Sequence, residues 1–231
     1  MKKLLVTLFA TFFAFTVNIA RADVSGLAIG ISFSNNELDT LVTDDIDSNG
    51  TINTTKALTD TVQAGSIFAE LTLGGSSGPL AVTLGVDYIP VDADLDKRST
   101  TQAFIGAAAD GASASGTNSG KATIDDHLTF YIQPGFVMGE NTMIYGTLGM
   151  ARADITATWE SISSTNTTKT KSLNGTSIGA GIKHVFDGGL FVKLDYAEND
   201  YDKVTYKTTN NTKVTGDIDN DQTALSVGYS F

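Results

Sequence analysis

The chain has 231 residues, no cysteine, and 15 basic against 26 acidic side chains, a formal net charge of −11. Zero cysteines exclude a disulfide framework, a thiolate metal site, a cysteine nucleophile and a lipidated N-terminal cysteine. The acidic balance excludes nucleic acid as a partner, because binding phosphates takes clustered Lys and Arg, while 41% apolar and 9% aromatic residues suit a packed structure of one domain or at most two.

The first segment reads as an export signal. Met1-Lys2-Lys3 is positive, Leu4 to Val17 is apolar with four phenylalanines, and Ala20-Arg21-Ala22 supplies the small-x-small pattern of a cleavage site. The apolar run is too short for the ~20 residues of a membrane-spanning helix. Residues 1–22 are therefore expected to be a cleavable signal peptide, and residues 23–231 a mature domain of 209 residues. Losing Lys2, Lys3 and Arg21 takes the net charge to −14.

Beyond residue 22 the pattern has a period of two, the signature of strands with unlike faces. In chain order, Leu27, Ile29, Ile31 and Phe33 alternate with Ala28, Gly30, Ser32 and Ser34; Ile67, Ala69, Leu71 and Leu73 with Ser66, Phe68, Glu70 and Thr72; and Leu80, Val82, Leu84, Val86 and Tyr88 with Ala81, Thr83, Gly85 and Asp87. A fourth segment sets Leu128, Phe130, Ile132, Phe136 and Met138 against Thr129, Tyr131, Gln133 and Gly135. A fifth sets Ile144, Leu148 and Met150 against Tyr145, Thr147, Gly149 and Ala151. Then Ile178, Ala180 and Ile182 oppose Ser177, Gly179, Gly181 and Lys183, and Leu190, Val192, Leu194 and Tyr196 oppose Phe191, Lys193, Asp195 and Ala197. The last segment sets Leu225, Val227, Tyr229 and Phe231 against Ala224, Ser226, Gly228 and Ser230. Eight strands is an even number, as single-chain bacterial barrels require.

Alternation alone does not separate a soluble sandwich from a membrane barrel, but the faces do. The non-apolar faces are dominated by Gly, Ala, Ser and Thr, which suit a narrow interior. Their charged members, Glu70, Asp87, Lys183, Lys193 and Asp195, carry both signs and can pair inside it. Aromatics flank the apolar faces, with Phe33, Tyr88, Phe130 and Tyr196 at one end and Phe136, Phe186, Tyr229 and Phe231 at the other, as at two lipid–water interfaces. Gly75-Ser76-Ser77-Gly78, Gly139-Glu140-Asn141 and Asp187-Gly188-Gly189 read as tight turns. Long polar loops are expected near 35–63, 92–125, 155–174 and 198–221. Short turns toward the periplasm and long loops outside are the outer-membrane plan. Pro134 lacks an N–H, so a closed barrel is expected to place it at a bulge or near the rim.

The C-terminal Leu225-x-Val227-x-Tyr229-x-Phe231 resembles the assembly signal of bacterial outer-membrane proteins, which ends in an aromatic residue and is read by the barrel-assembly machinery. Together with the export signal and the strand layout, residues 23–231 resemble the small OmpA/OmpX-type barrels of the porin-like outer-membrane β-barrel domain family. The resemblance implies an all-β, eight-stranded antiparallel up-and-down transmembrane barrel. It further implies a monomer in the Gram-negative outer membrane, in contact with its lipid and with lipopolysaccharide.

An eight-stranded barrel has an interior that side chains fill, and Phe68, Tyr131, Tyr145 and Phe191 are expected to point into it beside the charges. Glu70, Asp87, Lys183, Lys193 and Asp195 then read as paired ballast, or as a gate whose rearranged salt bridges open a small cation path. Catalysis is not expected. Lipid A palmitoyltransferases and deacylases also use eight strands, but a deacylase-like site needs a His-x-Ser pair, whereas Asp126-His127-Leu128-Thr129 offers Thr; His127 and His184 are expected to be rim residues. Asp45-x-Asp47-x-Asn49-Gly50 begins like a calcium loop, but Lys56 stands where its bidentate Glu belongs. Asp92-x-Asp94-x-Asp96 and Asp217-x-Asp219-x-Asp221 repeat the acidic alternation. All three runs read as a solvated rim, with weak Ca²⁺ or Mg²⁺ binding the sharper alternative and no other cofactor expected. Sequons such as Asn53-Thr54-Thr55 and Asn166-Thr167-Thr168 read as Thr/Asn-rich composition, and Trp159 is assigned to the third loop. The expected role is a structural and surface-interaction scaffold serving envelope integrity, adhesion, or docking of a surface ligand or phage; the alternative is a passive channel for small solutes or ions.

Overall fold

A computed structural model describes residues 23–45, 49–75, 78–90, 93–104, 114–160, 167–207 and 213–231; the expected export signal lies outside them. The elements are all strands: β1 (Gly26–Asp45), β2 (Thr54–Gly74), β3 (Leu80–Ile89), β4 (Ala93–Phe104), β5 (Ala114–Met138), β6 (Thr142–Glu160), β7 (Thr167–Val185), β8 (Leu190–Lys207) and β9 (Lys213–Ser230). Pairing is antiparallel throughout, and β1 closes on β9 from Ala28↔Ser230 to Asp45↔Lys213. β3 and β4 are successive pieces of one stave. β3 lies along β5 from Leu80↔Phe136 to Ile89↔His127, and β4 continues along it from Ala93↔Ile124 to Phe104↔Ala114. Nine segments thus build eight up-and-down strands in a closed ring. Pro90, which has no N–H to give a ladder, stands where the stave breaks. Opposite it, β5 carries a bulge between Asp125 and Leu128, with Asp126 at φ 48°.

The four expected long loops are corrected by the structure. Most of their residues are strand, because the hairpins keep pairing far beyond the tight-turn end: β1 and β2 remain in register to Asp44↔Thr54, and β6 and β7 to Trp159↔Thr167. Trp159 therefore belongs to a strand. The full-length strands run from 18 to 25 residues, whereas crossing a bilayer takes about 9–11. Threonine explains the continuation. It is β-branched and favours extended backbone, and its hydroxyls link strands on the outer face: Thr156 with Thr170 at 2.9 Å, Thr158 with Thr168 at 3.1 Å and Thr205 with Thr215 at 3.2 Å.

β1, β2, β6, β7, β8 and β9 also reverse their faces partway along. On β1 the outward residues change from Leu27, Ile29, Ile31 and Phe33 to Asn35, Glu37 and Asp39, while the inward series passes from Ala28 and Ser34 to buried Leu38. The lower half faces hydrocarbon and is apolar outside; the upper half faces water and is apolar inside. On β5 the outward apolar band runs from Leu128 to Met138, with Phe130 60% and Phe136 53% exposed to lipid. Above it stand exposed Asp126 and, across the β5–β6 ladder from Leu128, exposed Arg152.

Pro134 faces outward inside this band, without a bulge. The β5–β6 ladder skips Gln133 and Pro134 and resumes in unchanged register at Gly135↔Tyr145. The Gln133 side chain spans part of the gap by donating to Thr147 Oγ1 at 3.1 Å. Inside, glycines stand where aromatic rings lie across neighbouring strands. A Cβ at Gly30, Gly85 or Gly228 would run into the ring of Phe68, Tyr131 or Phe191 respectively.

Candidate functional site

The lumen is layered. At the tight-turn end Val24, Val137, Met143, Val185 and Phe191 are buried together as an apolar plug. Directly above, the alternation of β2, β3, β7 and β8 turns the expected charges inward and the register brings them to one level. Glu70 on β2 is fully buried and takes both lysines: Lys183 Nζ lies 3.3 Å from its Oε2, and Lys193 Nζ lies against its Oε1. The Tyr131 hydroxyl donates to Glu70 Oε1 at 2.9 Å. Asp195 sits 4.0 Å from Lys193 and accepts the Tyr145 hydroxyl at 2.6 Å, while Asp87 accepts the Ser66 hydroxyl at 2.6 Å. The lysines also lie over rings, Lys183 at 4.3 Å from the Phe191 centroid and Lys193 at 5.0 Å from that of Phe68. Buried charges persist only when paired and hydrogen-bonded, and Glu70, Lys183, Lys193 and Asp195 are all paired in this way.

Higher up, Asn36, Asn199 and Asn220 form a polar layer in which Asn220 Nδ2 donates to Asn36 Oδ1 at 3.2 Å and Asn199 Nδ2 to the Asn220 carbonyl at 3.3 Å. Above them the interior turns apolar again, with Leu38, Ile155, Leu173, Tyr201, Val204 and Ile218 buried as a second cluster. His127 enters this layer from β5 and bonds through Nε2 to the Tyr201 hydroxyl at 2.9 Å. Burial holds its imidazole down to about 4, so the ring is neutral at neutral pH. The expectation of a rim position is thus corrected for His127: it shares the parity of inward Thr129, Tyr131 and Gln133. His184 does lie at the tight-turn end, where its Nδ1 pairs with the Thr142 hydroxyl at 2.8 Å and its ring meets Phe186 edge-on.

Of the three acidic runs, the structure describes the side chains of Asp45, Asn49, Asp217, Asp219 and Asp221. Asp45 accepts the backbone N–H groups of Asn49 at 3.0 Å and Gly50 at 2.8 Å, so it shapes a hairpin tip. Asp47 and Asp92 lie outside the described residues, and Asp94 and Asp96 fall in β4. Asp217, Asp219 and Asp221 alternate along β9. Asp219 lies directly across from Asp39 and Asp200, Asp221 across from Glu37 and Glu198, and Asp217 pairs with Lys203 at 2.6 Å. Burial, then the carboxylates of Asp200, Asp217, Asp39 and Asp221, raise Asp219 above the usual carboxylate range. Among the described residues no three His, Asp or Glu side chains gather closely enough to hold a metal ion. Leu225, Val227 and Tyr229 project outward from β9 between β1 and β8; Phe231 follows the strand, packing edge-on against Tyr229 at 5.0 Å, and its N–H donates to the Leu27 carbonyl at 2.8 Å.

Residues 5–231 match the family model described as the outer membrane protein beta-barrel domain. Among solved structures, the outer membrane protein OprG of Pseudomonas aeruginosa is 15% identical over 90% of this chain and 97% of its own, with a TM-score of 0.53. AlkL, solved in DMPC lipid bilayers, is 15% identical over 94% and 95% of the two chains, with a TM-score of 0.44. Ail, the attachment invasion locus protein of Yersinia pestis, solved with the heparin analogue sucrose octasulfate, is 15% identical over 90% and 100%, with a TM-score of 0.43. No curated protein matches the chain.

Proposed function

The chain belongs to the outer membrane protein β-barrel domain family, and on that footing we propose that it is a surface scaffold whose work is done by its tall extracellular hairpins and not by flow through its lumen. The filled interior carries this reading. An apolar plug and a level of mutually paired charges occupy the lower barrel, while the strands rise well past the hydrocarbon band. A conducting role would have to break buried ion pairs at each opening. The hairpins instead give water-facing ladders at whose outer ends recognition would be carried. Their outer faces on β1, β8 and β9 carry opposed carboxylates, which suit a cationic surface partner, or bridging cations between barrel and lipopolysaccharide. The chain itself supplies lipid contact through the Phe33–Phe130–Tyr196 belt.

Planar-bilayer recording of the refolded barrel tests the reading. The expected result is an electrically silent membrane, with unchanged silence after the hairpin tips are shortened, while cells expressing the tip-shortened chain lose surface attachment or phage sensitivity. Reproducible openings that respond to Glu70→Gln or Lys193→Met would overturn it in favour of a small-solute or ion channel.

A further inference from the structure

Near the outer end of β7 the sequence reads Lys169-Thr170-Lys171, and the two-residue period puts both lysines on one face. The ladder with β6 shows which face. Lys169 lies across from Ala157 and Lys171 across from Ile155, both buried inside the barrel, so the lysines belong to the inner wall and Thr170 to the outer one. Lys56 does the same on β2: it lies across from Val42, which keeps the inward parity of buried Asn36 and Leu38. β2 and β7 are opposite staves, with three strands of the ring between them on either side.

Heights follow from the buried ion pairs below. Glu70 of β2 meets Lys183 of β7, which fixes one level across the barrel. Lys56 stands fourteen residues above Glu70 and Lys169 fourteen above Lys183, and neither the β1–β2 nor the β6–β7 ladder shifts register on the way. The two lysines therefore face each other across the mouth, with Lys171 one inward position lower. Tyr206 comes between them from β8, across from Val214 and on the inward parity of buried Ile218. It stands thirteen residues above Lys193, which also meets Glu70, and the β8 bulge takes up one of them, so it shares the level of Lys171. Its hydroxyl is buried with no hydrogen-bond partner. All three lysines are exposed at the open end, and among the described residues Lys56 and Lys171 have no ion-pair partner. Asp60, lower on the same inner face of β2, is already engaged. Ammonium groups on both sides of a mouth, beside an unspent phenolic donor, are suited to holding negative charge.

We propose that the outer mouth of the barrel binds a compact multivalent anion of the phosphate or phosphate-ester class, held between Lys56 on one side and Lys169 and Lys171 on the other, with the Tyr206 hydroxyl donating to it. Compactness follows from the charge of the walls. The outer faces of β1, β8 and β9 carry Glu37 and Asp39, Glu198 and Asp200, and Asp219 and Asp221 in matched rows, and the whole chain stands at −11. A long polyanion draped over the rim is repelled by those rows, whereas a small one inside the mouth meets the lysines first. The anion goes no deeper. Beneath lie the apolar cluster of Leu38, Ile155, Leu173 and Ile218 and then the asparagine layer, where a charge would lose its water without gaining a counter-charge. The mouth lies above the plug and the Glu70 level on which a silent lumen depends, so this proposal and the scaffold reading fail separately.

Isothermal titration of the refolded barrel in a nonionic maltoside, in metal-free buffer at low salt, tests this with inorganic pyrophosphate as the probe. One saturable site that weakens steeply with added salt is expected. Lys56→Gln combined with Lys171→Gln should weaken it roughly tenfold or more, and Tyr206→Phe roughly threefold or more, because hydrogen bonds to charged groups are the strong ones. Lys203→Gln, which removes an exposed lysine paired with Asp217 outside the mouth, should leave it unchanged. A cooperative urea transition near that of the wild type shows each variant folded. Long-chain polyphosphate, compared at equal phosphate concentration, should bind more weakly than pyrophosphate. No saturable heat with pyrophosphate, an affinity indifferent to the paired lysine change or to Tyr206→Phe, a loss as large from Lys203→Gln, or tighter binding of long-chain polyphosphate would each overturn the proposal.

Discussion

Glu70 is the residue on which the interior turns, since two ammonium groups and a phenol converge on its carboxylate. Glu70→Ala leaves Lys183 and Lys193 buried without their counter-charge and should cost about 3–5 kcal/mol, read as a lowered urea midpoint of the refolded barrel. Replacing all three with apolar residues of similar volume should recover most of it. His127 gives a pH signature. Its folded value of about 4 lies below the ordinary imidazole value of about 6.5, so the unfolded chain takes up a proton first. Stability contributed by the neutral ring is complete above about 6.5, declines as pH falls toward about 4 and is flat below. His127→Gln should therefore flatten the difference in unfolding midpoint between pH 7 and pH 5, and a wild-type slope unchanged by the variant would count against this burial. The inward charges were legible from parity alone, because β2, β3, β7 and β8 alternate without interruption through Glu70, Asp87, Lys183, Lys193 and Asp195. His127 obeyed the same parity, but its neighbours Asp125 and Asp126 made it look like a rim residue, and the bulge beside it has no strong sequence mark.

At the scale of the strand, the lipid-facing stretches declared themselves because hydrocarbon outside demands an apolar residue at every second position. The upper stretches did not. There water replaces lipid, the outward series becomes Asn, Asp, Glu and Thr, and the apolar partners shift to the inward series as scattered single residues such as Leu38, Ile155, Leu173 and Ile218. Polar composition then imitates a loop although the ladder is unbroken. Pro134 misled in the opposite direction. The expectation of a bulge or rim assumed that the ladder would have to deform, whereas it omits two pairs and keeps its register. Glycine positions carry their own prediction. Gly85 lies beneath the Tyr131 ring, whose hydroxyl is held by Glu70, so Gly85→Val should overpack the lumen and cost about 1–3 kcal/mol in the same urea assay. Gly216, with open space around its missing Cβ, should accept Ala with little effect.

For the whole barrel, closure depends on the last strand meeting the first, and the Phe231 N–H completes that seam on the Leu27 carbonyl. If the terminal residues are also what the assembly machinery reads, deleting Phe231 should reduce the folded, heat-modifiable form in cells several-fold while refolding from urea into detergent stays nearly intact. Equal losses in both settings would instead mark Phe231 as a purely structural closure. The switch of faces along β1, β6, β8 and β9 has a last consequence, for how the molecule floats. Sinking by two residues would drag Glu37, Glu198 and Asp221 toward the acyl chains; rising by two would wet Phe33, Met150 and Leu225. Charges pulled into that layer cost up to a few kcal/mol apiece. The barrel therefore has a fixed waterline, and a leaflet thicker or thinner than its greasy belt has to stretch or thin to meet it.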